Sequence, residues 1–129
     1  MKPRRIQLSR KKGWRLPPNT IVVARPTLRG NPYFVCPTRP PKEAVRVYRM
    51  GVRGRWKALQ TLEGHSDVDM LAVIAYFQRI RRRMAELRGK NLACWCKLCD
   101  AHKDGLPLGE NCPDCQPCHA DVLLEVANA

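Results

Sequence analysis

The sequence predicts an α/β fold, a small single-domain sheet with at least two parallel strands packed by helices. Three stretches carry that prediction. Asn19-Thr-Ile-Val-Val-Ala24 is a compact β-branched run between Pro17-Pro18 and Arg25-Pro26, which reads as a buried strand. Leu92-Ala-Cys-Trp-Cys96 reads as a second buried strand. Between them, Met70, Val73, Phe77, Ile80, Met84 and Leu87 recur at alternating steps of three and four, the stripe of a helix with one face in the core. A crossover of that length joins its strands in parallel. At 129 residues the chain is one domain, 1–129, with a modest core.

The remaining elements follow in order. Residues 1–18 hold seven Lys/Arg and no acid, yet Arg5-Ile-Gln-Leu-Ser alternates and Trp14 favours burial. A short edge strand and a basic loop are expected there. Arg25-Pro-Thr-Leu-Arg-Gly-Asn-Pro32 is a turn. It is either turn chemistry alone or an anion cradle, in which free backbone N–H groups of Gly30-Asn31 lie beside Arg25, Thr27 and Arg29. Tyr33–Cys36 is short enough for a further strand. Thr38-Arg-Pro-Pro-Lys-Glu43 opens a helix with proline in its first turn, with Ala44, Val47 and Tyr48 inside and Gly51 at its end. Residues 53–63 suggest a short helix carrying Trp56, Leu59 and Leu62. His65 lacks a spaced partner and reads as polar surface. Ser66 with Asp69 resembles a capping box ahead of the long helix, and Gly89 stops it. Residues 121–127 form a short terminal helix.

Six of the seven cysteines and two of the three histidines fall between Asn91 and Asn128. Cys96-Lys-Leu-Cys99 and Cys112-Pro-Asp-Cys115 are two C-x-x-C pairs separated by twelve residues. Two such knuckles complete a tetrahedron around zinc. Pro113 and Asp114 favour a tight turn, and Gly105, Pro107 and Gly109 make the connection loop-like. Residues 97–117 are therefore expected to be a zinc-binding insert. Its symmetric ligand set is Cys96, Cys99, Cys112 and Cys115. The alternative puts His102 in place of Cys96, since C-x-x-H is also ligand spacing, and leaves Cys94, Cys96, Cys118 and His119 as a reactive cluster or second metal site.

Side chains alternate along a strand, so Cys94 and Cys96 point one way and Trp95 the other. Cys118-His119-Ala-Asp121 opens the terminal helix, whose positive end favours a thiolate or an anion. Cys118, His119 and Asp121 are thus the candidate catalytic residues, as nucleophile or acid–base groups. Arg25, Thr27, Arg29, Gly30 and Asn31 are the candidate ligand-binding residues. The two groups are expected to meet at the edge of the sheet where strands end and helices begin.

The charge is uneven. The net charge is +13, but up to Cys96 there are 22 Lys/Arg against 5 Asp/Glu, and afterwards 2 against 6. A polyanionic partner suits the first part. No apolar run approaches a membrane span, and no segment has the pattern of a signal peptide. With an odd cysteine count, a reducing cytoplasmic location is expected.

The chain resembles the family of small phage and bacterial proteins known as domain of unknown function 4326. The resemblance rests on Arg25-Pro26-Thr27 with Gly30-Asn31-Pro32, on Leu87-Arg-Gly-Lys-Asn-Leu-Ala-Cys-Trp-Cys96 and on Cys118-His119-Ala-Asp121-Val-Leu-Leu124. It implies that the Arg-Pro-Thr/Gly-Asn-Pro turn and the Cys-Trp-Cys/Cys-His pair form a shared site, in host cytoplasm if the chain is phage-encoded. It assigns no reaction, and the insert with Cys99, His102, Cys112 and Cys115 is longer here. Three roles follow as expectations. The first is binding or processing of a nucleotide-like phosphorylated small molecule. The second is non-specific nucleic-acid binding through the basic half with a structural zinc, and the third is binding to a host protein.

Overall fold

A computed structural model describes residues 2–129. Four strands form one mixed sheet: β1 (Arg4–Gln7), β2 (Thr20–Val22), β3 (Asn91–Cys94) and β4 (Leu106–Pro107), in the order β2-β3-β1-β4. β2 and β3 are parallel, with Ile21 opposite Leu92, as the long crossover requires. β1 is also parallel to β3, with Ile6 opposite Ala93, and β4 closes antiparallel onto β1. β1 is therefore an interior strand and not an edge. The reason is that the insert, expected to be all loop, returns Leu106–Pro107 to pair with Arg4 and Arg5.

Four helices cover the sheet: α1 (Pro41–Val52), α2 (Trp56–Glu63), α3 (Asp67–Arg82) and α4 (His119–Ala127). α4 lies on β1 and β3, α1 packs on α4, and α3 packs on α1 and α2. The terminal helix, and not the long one, is thus the sheet's principal cover. Its sequence explains this: Ala120, Val122, Leu123, Leu124 and Ala127 are all buried, so little of its circumference is left for water. α3 buries only the stripe Met70, Phe77 and Ile80. It starts at Ser66, whose hydroxyl accepts the Asp69 N–H at 3.1 Å, and runs into a 3-10 turn at Met84–Leu87.

The core is continuous. Tyr48, Phe77, Leu59, Leu92, Leu123 and Leu124 are all but sealed from water, and Tyr48 meets Phe77 edge-on at 5.6 Å. Gly51 sits in the last turn of α1 because a Cβ there would lie 2.4 Å from the Phe77 ring. Tyr33–Cys36 forms no strand. Only an isolated bridge joins Cys36 to Arg39, because the three prolines that follow, Pro37, Pro40 and Pro41, supply no ladder N–H. Among the described residues no helix is long and apolar enough to cross a membrane.

Candidate metal centre and adjoining cavity

The insert folds around four side chains. Cys99, His102, Cys112 and Cys115 bring their ligand atoms within 4.8 Å of one another. Cys112-Pro-Asp-Cys115 is a tight knuckle closed by the Cys115 N–H on the Cys112 carbonyl at 3.3 Å. Asp100–His102 is one 3-10 turn, which carries His102 back to Cys99, with Nδ1 at 3.2 Å from Sγ. Gln116 holds both ends together. Its N–H donates to the Lys97 carbonyl at 2.8 Å, and its side-chain oxygen accepts the Lys97 N–H at 3.1 Å.

The spacing among these atoms is that of a coordination shell. A tetrahedron with Zn–S of about 2.3 Å and Zn–N of about 2.0 Å has S···S edges of about 3.8 Å and S···N edges of about 3.5 Å. Here Cys99 lies 3.8 Å from Cys112 and 3.6 Å from Cys115, and His102 Nδ1 lies 3.7 Å from Cys115. His102 Nε2 faces Glu110 at 3.0 Å, the carboxylate partner that orients a ligating imidazole. The Cys99 N–H also points at Cys115 Sγ at 3.4 Å. Burial pushes the Cys99 thiol up, but the hydrogen bonds from His102, Cys115 and Cys112 outweigh it and bring it to about 7.

Cys96 is not in this set. It stands with Cys94 and Cys118, the three sulfurs lying within 4.8 Å of one another. β3 ends at Cys94, and in the bend that follows Cys96 brings its sulfur to 3.8 Å from that of Cys94, where the start of α4 delivers Cys118. That geometry overrides the C-x-x-C spacing between Cys96 and Cys99, and the converging set is the one with His102. Among the described residues, two Cys/His clusters could therefore hold a metal ion.

The three-thiol cluster opens on a cavity of about 230 Å³ beyond the ends of β2 and β3. Arg25, Asn31, Cys94, Cys96, Cys118 and His119 all line it, with Tyr33 and Trp95. Cys118 caps α4, its sulfur accepting the Ala120 N–H at 3.5 Å. Hydrogen bonds from Cys118 and then Cys96 pull the Cys94 thiol far down, and the same bond to Cys94 pushes Cys118 well up. His119 Nε2 donates to the Val23 carbonyl at 2.7 Å, so the neutral ring carries its lone pair on Nδ1, 3.8 Å from Cys118 Sγ.

The ligand-binding residues read from the sequence divide. Arg25 reaches the cavity, its guanidinium donating to the Asn31 carbonyl at 3.1 Å and stacking 4.1 Å from the Phe34 ring centre. Asn31 is buried and structural as well as lining: its amide donates to the Ala44 carbonyl at 3.0 Å and its oxygen accepts the Tyr33 N–H at 2.9 Å. Thr27, Arg29 and Gly30 do not line the cavity. The Thr27 and Gly30 N–H groups close the turn internally, so the Gly30 N–H is engaged within the turn. Gly30 is needed because a Cβ would lie 2.7 Å from the Arg25 side chain. Tyr48 and Tyr76 donate to the Arg29 and Gly30 carbonyls from α1 and α3. Arg29 turns away to Glu86 at 2.6 Å.

Asp121 does not line this cavity. It pairs with Arg5 of β1 at 2.5 Å and borders a second cavity of about 470 Å³ beneath the insert, whose lining it shares with Cys118. Arg5 is the residue that pattern reading missed. It is 1% exposed, yet nothing in a run of seven basic residues marks one of them as internal. The chain matches the family described as Domain of unknown function (DUF4326) across residues 6–129. It matches no curated protein and no solved structure.

Proposed function

We propose, for a chain that belongs to the DUF4326 family over essentially its whole length, that it is a zinc protein binding a nucleotide-like phosphorylated small molecule in the cavity beside Arg25. Zinc held by Cys99, His102, Cys112 and Cys115 is structural in this reading, since four protein ligands close the shell. The observation that carries the proposal is convergence. Arg25, Asn31, Cys94, Cys118 and His119 come from three distant stretches and line one cavity, at the strand ends where open α/β sheets collect ligands. Arg25 is exposed and already oriented, so its fork is available for a phosphate. Trp95, 44% exposed, offers a face for a base at the same rim.

Isothermal titration with inorganic phosphate and a set of nucleoside monophosphates tests this. A monophosphate should bind more tightly than phosphate alone. Arg25→Ala should remove that binding while zinc content and melting temperature stay unchanged. Absence of heat with every probe, or undiminished binding by Arg25→Ala, contradicts the reading.

A second reading has its own observation. Arg10 stacks 4.5 Å from the Trp95 ring centre, joining the basic N-terminal segment to the cavity rim in the manner of a single-strand platform. Binding of that kind falls steeply with salt and shows little sequence preference.

A further inference from the structure

We infer that Cys94, Cys96 and Cys118 hold a second thiophilic divalent ion, zinc by preference, whose fourth coordination position opens into the Arg25 cavity. This goes beyond the phosphate-ligand reading and does not depend on it. The three sulfurs lie within 4.8 Å of one another, and Cys94 and Cys96 are 3.8 Å apart, the edge of a tetrahedron with Zn–S of about 2.3 Å. All seven cysteines are free thiols. Buried cysteines usually pack singly as small apolar groups. Here three turn their sulfurs to one point: Cys94 at the end of β3, Cys96 in the bend that follows it, and Cys118 at the cap of α4.

The shell is open on one side. Among the described residues the mutually close set contains three ligand atoms and no fourth. His119 is the nearest further donor, but the Val23 carbonyl holds its Nε2 at 2.7 Å, and its Nδ1 approaches Cys118 alone, at 3.8 Å. The imidazole therefore stands beside the shell as a fixed neighbour. The remaining face of the cluster meets the cavity lined by Arg25 and Asn31. Three protein ligands with an open position are the arrangement of zinc sites that exchange water for a ligand, whereas the knuckle with four is closed. Three thiolates on Zn²⁺ leave one negative charge, and Arg25 shares the cavity that the open position faces.

The test uses the full chain carrying Cys36→Ser, because Cys36 is exposed and belongs to neither cluster. Native mass spectrometry of protein prepared without chelator should show two zinc ions. Cys96→Ser should carry one, with its fold retained by circular dichroism. Protein produced with cobalt should show two sulfur-ligated centres, and cyanide should change the spectrum of only one. That one should be missing in Cys96→Ser. One zinc in the unsubstituted chain overturns the second site and leaves the knuckle standing; none overturns both. Two zincs retained by Cys96→Ser also overturn it. If Cys96→Ser does not fold, the count in the unsubstituted chain and the cyanide response decide.

Discussion

Truncating Asp121 should destabilise the fold more than it harms any ligand affinity. Arg5 is 1% exposed, its Nη1 lies 2.5 Å from the Asp121 carboxylate, and among the described residues its guanidinium's other partner is the Lys97 carbonyl at 3.4 Å. At that separation the gross attraction is about 7 kcal/mol for an effective dielectric of about 20. Removal from water costs several kcal/mol per ion and offsets most of it. The cost is unequal, because the Asp121 side chain keeps 37% exposure. Burial nevertheless pushes the Asp121 carboxyl up despite Arg5 beside it, so the pair is held mainly for the arginine. Asp121→Ala strands a buried guanidinium and should cost about 3 kcal/mol. Arg5→Met leaves a carboxylate that still reaches water and should cost less, about 1–2 kcal/mol. Arg5→Met with Asp121→Leu should return to within about 1 kcal/mol of the parent. Urea unfolding at a fixed excess of zinc measures all three, metal being held constant because it stabilises the folded state by mass action. The reasoning is refuted if Asp121→Ala costs under about 1 kcal/mol, or if the double variant is no more stable than Asp121→Ala.

Two further outcomes follow from packing and titration. Gly51→Ala places a methyl 2.4 Å from the Phe77 ring; overpacking should exceed the gain in helix propensity and leave the protein about 2 kcal/mol less stable in the same urea assay. Tyr33 is pushed up to about 12, by burial first and then by Glu63, and burial also raises Tyr48 and Tyr76. These are all three tyrosines of the chain. A raised folded value means the protonated phenols contribute stability that is complete below about 10 and lost as pH rises through the folded values. The melting temperature should therefore fall between pH 10 and 12, and the ultraviolet phenolate signal should appear near pH 10 only in the unfolded protein.

Much of this fold is legible because its strands and long helix are patterned locally. The β-branched run at Thr20–Val22 and the Ser66 cap of α3 follow from residues close in sequence, and the parallel pairing with Asn91–Cys94 follows from the length of the crossover. Cys99, Cys112 and Cys115 are legible for the same reason, as knuckle spacing survives without tertiary context. What escapes is decided by distant partners. Cys96 satisfies a C-x-x-C pair by spacing, and only the bend after β3 and the arrival of α4 place it with Cys94 and Cys118 instead. β4 is two residues of an apparent loop, made a strand by β1. Arg29 and Arg25 look equivalent around one turn, yet Glu86 on the 3-10 turn after α3 draws one away. The burial of Arg5 depends on Asp121, 116 positions along the chain.

The central claim is that Cys99, His102, Cys112 and Cys115 hold a metal ion and that Cys96 does not belong with them. An anomalous difference map at the zinc absorption edge, from crystals of protein never exposed to chelator, tests this directly. The account predicts a peak bonded to the three sulfurs and to His102 Nδ1, with Glu110 on the opposite ring nitrogen. A peak bonded to Cys96 in place of His102, or no peak within the insert, would contradict it.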